Sequence, residues 1–168
     1  MQGACYDSVD RLNSGAEKMI GLLQRVTAAH VTVNGVQVGV IGTGILVLVG
    51  VERGDDHDHA DRLLERLLGY RVFSDAEGKM NLSVRDVNGA LLLVPQFTLV
   101  ADTAKGMRPS FSSGAAPEHG RMMFEYLVEQ ARGRHANVRC GIFGAEMQVT
   151  LTNDGPVTFW LRVPPRAG

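Results

Sequence analysis

The chain has 168 residues, and 17 basic against 18 acidic side chains leave a formal charge of −1. That length suits one domain with a proper core, and 45% apolar with 21% charged residues is an ordinary globular mix, which excludes a disordered chain or a coiled coil as the overall description. The longest apolar run, Ile45 to Val51, falls far short of the ~20 residues a membrane-spanning helix needs, and near-zero charge argues against a protein that coats long nucleic acid while leaving room for a small basic patch.

Residues 1–18 are expected to be a non-core extension, because they carry Gly, Ser, Asn and Asp breakers and no strand alternation. They also lack the continuous apolar stretch of a secretory signal. Met19 reads as a natural start, and losing Arg11 and Lys18 with Asp7, Asp10 and Glu17 leaves a neutral remainder. Failure of a chain begun at Met19 to fold would return the extension to the core. The domain is assigned to residues 19–163, with 164–168 as a C-terminal tail.

Strand signals follow. Val31, Val33, Val36 and Val38 flank Asn34-Gly35, the dipeptide that best supplies positive φ for a two-residue hairpin turn. Gly39, Gly42 and Gly44 lie between strand-like runs with no helix after them, so they mark a turn or bulge and not a phosphate loop. Ile45–Val49 and Leu91–Val94 are continuous apolar runs, as in strands covered on both faces. Met147, Val149 and Leu151, then Val157, Phe159 and Leu161, alternate as half-buried strands on either side of Asn153–Thr158.

Two helices are predicted. Ala60, Leu63, Leu64, Leu67 and Leu68 form one stripe after an Asp-rich start. A second helix opens near Pro117 and puts Met123, Phe124, Leu127, Val128 and Ala131 on one face. The fold class is α/β: a single domain, mainly antiparallel, with a curved sheet or barrel covered by two helices.

Chemistry-bearing residues are sparse. Asp55-Asp56-His57-Asp58-His59 has metal-ligand residue types, but the two histidines diverge as a helix begins, and the cluster is expected to be a solvated helix start. His30, His119 and His135 are isolated and expected at the surface or at strand ends. Cys5 and Cys140 form no CxxC, which fits a reducing compartment, and no GxSxG elbow occurs. No metal or cofactor is expected.

Three stretches remain. Pro95-Gln96-Phe97-Thr98-Leu99 interrupts an apolar strand with a proline, as at a sheet edge or a functional bend. Lys105-Gly-Met-Arg108-Pro-Ser-Phe111 places cations and an aromatic in a loop, suited to phosphate and base contacts or to plain solvation. Asn153-Asp-Gly155-Pro156-Val-Thr158 has the composition of a turn joining two strands.

Together these stretches resemble the D-aminoacyl-tRNA deacylases. Gln24-Arg25-Val26 with Val31-Thr-Val33 is similar to the opening strands of that family, and Gly78-Lys-Met-Asn-Leu-Ser83 to its middle motif. Pro95–Leu99 is similar to an active-site motif that usually begins with serine. Lys105-Gly106 with Arg108-Pro-Ser-Phe111, Gly141-Ile-Phe-Gly144 and Asn153–Thr158 complete six motifs in family order over about Met19 to Val163.

The resemblance implies a cytoplasmic hydrolase that cleaves the ester between a D-amino acid, or glycine, and the terminal ribose of tRNA. It implies a homodimer in which a cis Gly155-Pro156 peptide enters the partner's site, holds the substrate amino group with its carbonyls and rejects L-amino acids, braced by an arginine that Arg25 resembles. Gln96, Phe97 and Thr98 would form the catalytic segment, and Lys105, Arg108 and Phe111 would meet tRNA. The expected partners are aminoacyl-tRNA and a second copy of the chain, with neither membrane nor DNA. An RNA-binding module without catalysis, or a structural homodimer, are the rival readings. Pro95 in place of serine leaves stringency towards L-alanyl-tRNA open.

Overall fold

The computed structural model describes residues 18–164, so most of the predicted extension and tail lie outside the described residues. Strand β1, Met19–Val33, is the spine of the sheet. Its first half pairs antiparallel with β3, Gly44–Gly50, and its second half with β2, Val36–Ile41. The hairpin between β1 and β2 turns on Asn34 and Gly35, with φ of 49° and 77°, the left-handed values that this dipeptide favours. Along its other side β1 pairs antiparallel with β8, Gln148–Val163, from Met19 opposite Val163 to Thr32 opposite Gln148.

Strand β6, Ala90–Pro95, lies parallel to β3, and β7, Val138–Cys140, lies parallel to β6. The apolar runs of β3 and β6 are explained by this central position. Ile45, Val47, Leu91 and Leu93 face the helices, while Leu46, Leu92 and Val94 face a second core with Val26, Val31 and Ile41. Burial on both faces is what a parallel pair requires. The curved sheet nearly closes: a Cβ on Gly39 of β2 would stand 3.1 Å from the Cys140 carbonyl oxygen of β7. The predicted α/β domain with two covering helices is therefore present, with the central β3–β6–β7 section parallel within an otherwise antiparallel sheet.

Helix α1, His57–Gly69, buries Leu63, Leu64, Leu67 and Leu68. Helix α2, Pro117–Arg134, starts with its proline in the first turn and buries Met123, Phe124, Leu127 and Ala131. Each fully buried leucine of this kind stabilises the fold by about 1.5–3 kcal/mol before entropy is subtracted. The short strands β4, Phe73–Ser74, and β5, Met80–Leu82, form a separate antiparallel pair after α1.

The start of α1 corrects one expectation. Asp56, His57 and Asp58 are solvated as expected, but the two ends of the stretch are not, since His59 is 4% exposed and Asp55 1%. Asp56 caps the helix by accepting from the Asp58 and His59 N–H groups, and His59 Nδ1 reaches back to Asp56 Oδ1 at 2.7 Å, which closes the helix end over the core. His57 instead stacks on Tyr126 of α2, 4.0 Å between centroids.

Chiefly the His59 side-chain hydrogen bond holds the Asp56 carboxyl below its ordinary value of 3.8. A carboxylate with a lowered folded-state pKa stabilises the fold fully above its ordinary value and ceases to do so as pH falls through the lowered one. Near pH 7, Asp56→Ala is expected to lower Tm by about 2–4 °C, equivalent to the ~1 kcal/mol of a lost N-cap. In thermal melts well below pH 3.8 the gap between variant and parent should close.

Candidate active site

Pro95 ends β6 just past the point where β7 stops. Leu93 pairs with Cys140, and beyond it β6 keeps only β3 as a neighbour, through Gln96 N–H to Val49 O at 2.7 Å. The missing proline N–H thus falls on the side where no strand continues, a local sheet edge at which the chain leaves the strand. The chain then enters a short 3₁₀ turn, Phe97–Val100. As at any helix start, its first N–H groups, those of Phe97 and Thr98, have no partner inside the turn. Gln96 Nε2 donates to Thr98 Oγ1 across it.

Beside this turn opens a cavity of about 300 Å³. Pro95, Gln96 and Phe97 form one wall, Gly114 to Pro117 the facing one, and Phe124 and Phe143 the floor. Among the described residues Gln96 is its only polar lining side chain, and none that line it ionises. Phe97 is 67% exposed at the mouth, with its ring 5.2 Å from that of Phe111. The structure therefore brings Gln96, Phe97 and Phe111 together, with Thr98 exposed next to them. Phe111 belongs to the cavity as well as to the cationic loop. Lys105 and Arg108 are exposed on that loop, which is closed at its base by Asp102 and Ser110 exchanging backbone bonds of 2.7 and 3.0 Å.

The small residues of the facing wall were not legible as site residues. Their signal is the composition Ser112-Ser-Gly-Ala-Ala-Pro117, small side chains before a helix, and Gly120 extends it one turn further. A Cβ on Gly120 would stand 3.2 Å from Phe143 Cζ, so the glycine makes room for the aromatic floor.

Arg25, Gly155 and Pro156 lie elsewhere in the chain, none of them lining the cavity. Here a second expectation is corrected. Asn153–Thr158 does not turn between two strands, because both halves of β8 pair with the same strand β1 in the same direction. Gln24 faces Thr158 and Val26 faces Asn153, so residues 154–157 stand opposite Arg25 alone and must bulge out. Asn153 pins the bulge: its Oδ1 accepts from Val157 N at 2.7 Å, and its Nδ2 donates to Thr158 Oγ1 at 2.9 Å. Gly155 and Pro156 are exposed at its tip, joined by a cis peptide bond.

Arg25, with a side chain only 12% exposed, donates from Nε to the Asp154 carbonyl at 2.9 Å and from Nη1 to the Val72 carbonyl at 2.6 Å. Within the chain Arg25 therefore ties the bulge to the segment that follows α1. Gly155 has φ of 139°, and a Cβ there would lie 2.8 Å from Val157 Cγ2 and 3.2 Å from the Arg25 guanidinium.

His30 lies within β1, not at a strand end, while His119 and His135 act as tethers. Nε2 of His119 lies 2.7 Å from the Asp55 carbonyl oxygen, and that of His135 2.7 Å from the Gly89 carbonyl oxygen. Among the described residues no group of three or more His, Cys, Asp or Glu is placed to hold a metal ion.

An apolar cavity beside a turn whose first N–H groups have no partner inside it is the candidate active site. Comparison with known proteins carries this further. The model of the D-Tyr-tRNA(Tyr) deacylase family matches residues 22–162. A D-aminoacyl-tRNA deacylase of Nitrosococcus oceani is 62% identical over 147 residues, 88% of this chain and 95% of that protein. One from Escherichia coli is 59% identical over 145 residues, 86% of this chain and 100% of its own length. Among solved structures, one described as the c-Myc DNA Unwinding Element Binding Protein superposes with a TM-score of 0.82 at 38% identity, covering 86% of this chain and 99% of that one. A probable eukaryotic D-amino acid tRNA deacylase shares the fold, with a TM-score of 0.75 at 19% identity over 87% of this chain and all of its own. The chain belongs to the D-Tyr-tRNA(Tyr) deacylase family, a family of hydrolases.

Proposed function

We propose that this enzyme hydrolyses the ester linking a D-amino acid, or glycine, to the 3′-terminal ribose of tRNA, releasing the free amino acid and tRNA. The observation that carries the reading is the apolar cavity beside the Phe97–Val100 turn, lined among the described residues by no ionising side chain. An aminoacyl ester is activated already, so oriented water and N–H donors for the developing oxyanion suffice. The Phe97 and Thr98 N–H groups supply those donors, and the substrate's own 2′-hydroxyl helps to activate the water. Lys105 and Arg108 meet phosphates of the acceptor end, and Phe111 meets a base.

In this reading chirality is read by exclusion. The Gly155-Pro156 tip of a second subunit enters the cavity, and its carbonyls hold the substrate amino group. An L side chain then strikes the wall, a D side chain points into open space, and glycine escapes the filter. Two features support the dimer: among the described strands β8 pairs only with β1, which leaves its outer edge open, and Trp160 on it is 51% exposed. The enzyme acts where aminoacyl-tRNA is used, in the cytoplasm. No described helix is long and apolar enough to cross a membrane.

Deacylation of matched D- and L-aminoacyl-tRNA pairs, with glycyl- and L-alanyl-tRNA beside them, tests the activity and the effect of Pro95. Rapid cleavage of the D and glycyl esters alone is expected, and equal cleavage of both mirror forms would refute the filter. Thr98→Ala is expected to keep activity within about tenfold of the parent, because a lone threonine hydroxyl without an adjacent base is a poor nucleophile. A loss of several orders of magnitude with an unchanged melting curve would make Thr98 the nucleophile instead.

A further inference from the structure

We propose that Arg53 is a positioning residue for the cavity mouth: from an anchored strap it grips the Ser112 carbonyl and thereby fixes Phe111 against Phe97. The proposal rests on the hydrolytic reading above, and its argument begins with the strap.

Residues 51–53 follow β3 and pair with the wall segment through Arg53 N–H to Ser113 O at 2.9 Å and Ala115 N–H to Val51 O at 3.1 Å. Glu52 between them is 9% exposed and tied in three directions. Its carboxylate accepts from the Lys18 N–H at 3.0 Å and from Arg162 of β8 at 2.8 Å, and its own N–H donates to Asp55 Oδ2 at 2.7 Å. A residue held by two strands and a helix start gives Arg53 a fixed base.

From that base the Arg53 side chain reaches one step beyond the backbone pairing. Its Nη2 donates to Ser112 O at 2.7 Å, and among the described residues it makes no ion pair with a carboxylate. On the far side of Phe111, Ser110 is held by its backbone exchange with Asp102. Phe111 therefore sits between two clamps, the Asp102–Ser110 pair and the Arg53–Ser112 bond. With both closed, its ring stands 5.2 Å from Phe97 at the cavity mouth. Without the arginine only the first clamp holds it, and the ring that receives substrate loses its set position.

The clamp is read first without substrate. In Arg53→Ala, amide hydrogen exchange over residues 110–113 is expected to quicken while exchange in β3 and β6 stays as in the parent. Unchanged exchange over 110–113 would overturn the proposal even if the protein proved inactive on every aminoacyl-tRNA. Its consequence is then read on D-tyrosyl-tRNA. Arg53→Ala should raise KM about three- to tenfold with kcat within about twofold, the scale of one lost hydrogen bond. Arg53→Lys, which can still donate to the Ser112 carbonyl, should recover much of this.

Because the effect runs through Phe111, adding Arg53→Ala to Phe111→Ala should cost no more than Phe111→Ala alone. Multiplying effects, or a salt dependence that flattens equally in both backgrounds, would mean that Arg53 touches a phosphate directly and would overturn the positioning role. Failure of the parent itself to cleave D-tyrosyl-tRNA would count against the hydrolytic reading, and the exchange result would still decide the clamp.

Discussion

Replacing Gly44 with alanine is expected to leave little folded protein. A Cβ at this first residue of β3 would lie 2.0 Å from the Ala90 carbonyl oxygen and 2.7 Å from the Ala90 nitrogen. Both are backbone atoms, so no side chain can swing aside to accept the methyl group. Gly44 is also the residue at which two pairings meet: it faces Val26 in β1 and Ala90 in β6. Relief requires moving β3 away from β6, and those strands carry Leu46 and Leu92 into one core and Ile45 and Leu91 into the other. The cost is roughly 3 kcal/mol or more, beyond ordinary overpacking and a large share of a domain's total stability. Chemical denaturation of the soluble fraction checks it, and a midpoint within error of the parent would show that the strands separate more easily than this packing allows.

The second large effect falls on activity. Gly155→Ala is expected to cut D-aminoacyl-tRNA cleavage by about a hundredfold or more while leaving the melting temperature within a few degrees. The loop tip is exposed, so its distortion spares the core, yet φ of 139° is a conformation that a side chain resists. The added methyl group would also meet Val157 Cγ2 at 2.8 Å and the Arg25 guanidinium at 3.2 Å. Either the tip or the arginine that braces it must shift, and a displacement near 1 Å at a substrate-positioning group is worth about two orders of magnitude in rate. Steady-state rates on D- and L-aminoacyl esters side by side give the answer. Undiminished, equally selective cleavage would remove the tip from the mechanism.

The layered fold was legible because its signals are local. The unbroken run at Ile45–Val49 announced a strand with two buried faces, Leu63 to Leu68 a helical stripe, and Pro117 a helix start. The direction of β6 was not legible, since an apolar run reads the same in a parallel and an antiparallel sheet. His59 was missed because a histidine that caps a helix and one that faces water have the same sequence neighbours, and burial is decided by what packs above. The bulge at residues 154–157 has the composition of a reversal, and only the continued pairing of β8 with β1 shows that the strand runs straight on. The candidate segment Gln96–Thr98 could be picked out from family likeness, whereas the cavity wall needs Gly114–Pro117, Gly120 and Phe143 to converge from separate segments, and no local pattern carries that.

The pairing of β1 with β8 has a consequence for biogenesis. Among the described strands the spine leaves the ribosome first, but its flank towards β8 stays open until that strand has been synthesised, because Met19 must meet Val163. Contacts of such high order delay closure, so the nascent chain carries an apolar ribbon without its lid through most of translation. During that interval only the early hairpin protects the ribbon, and closure waits until β8 has emerged.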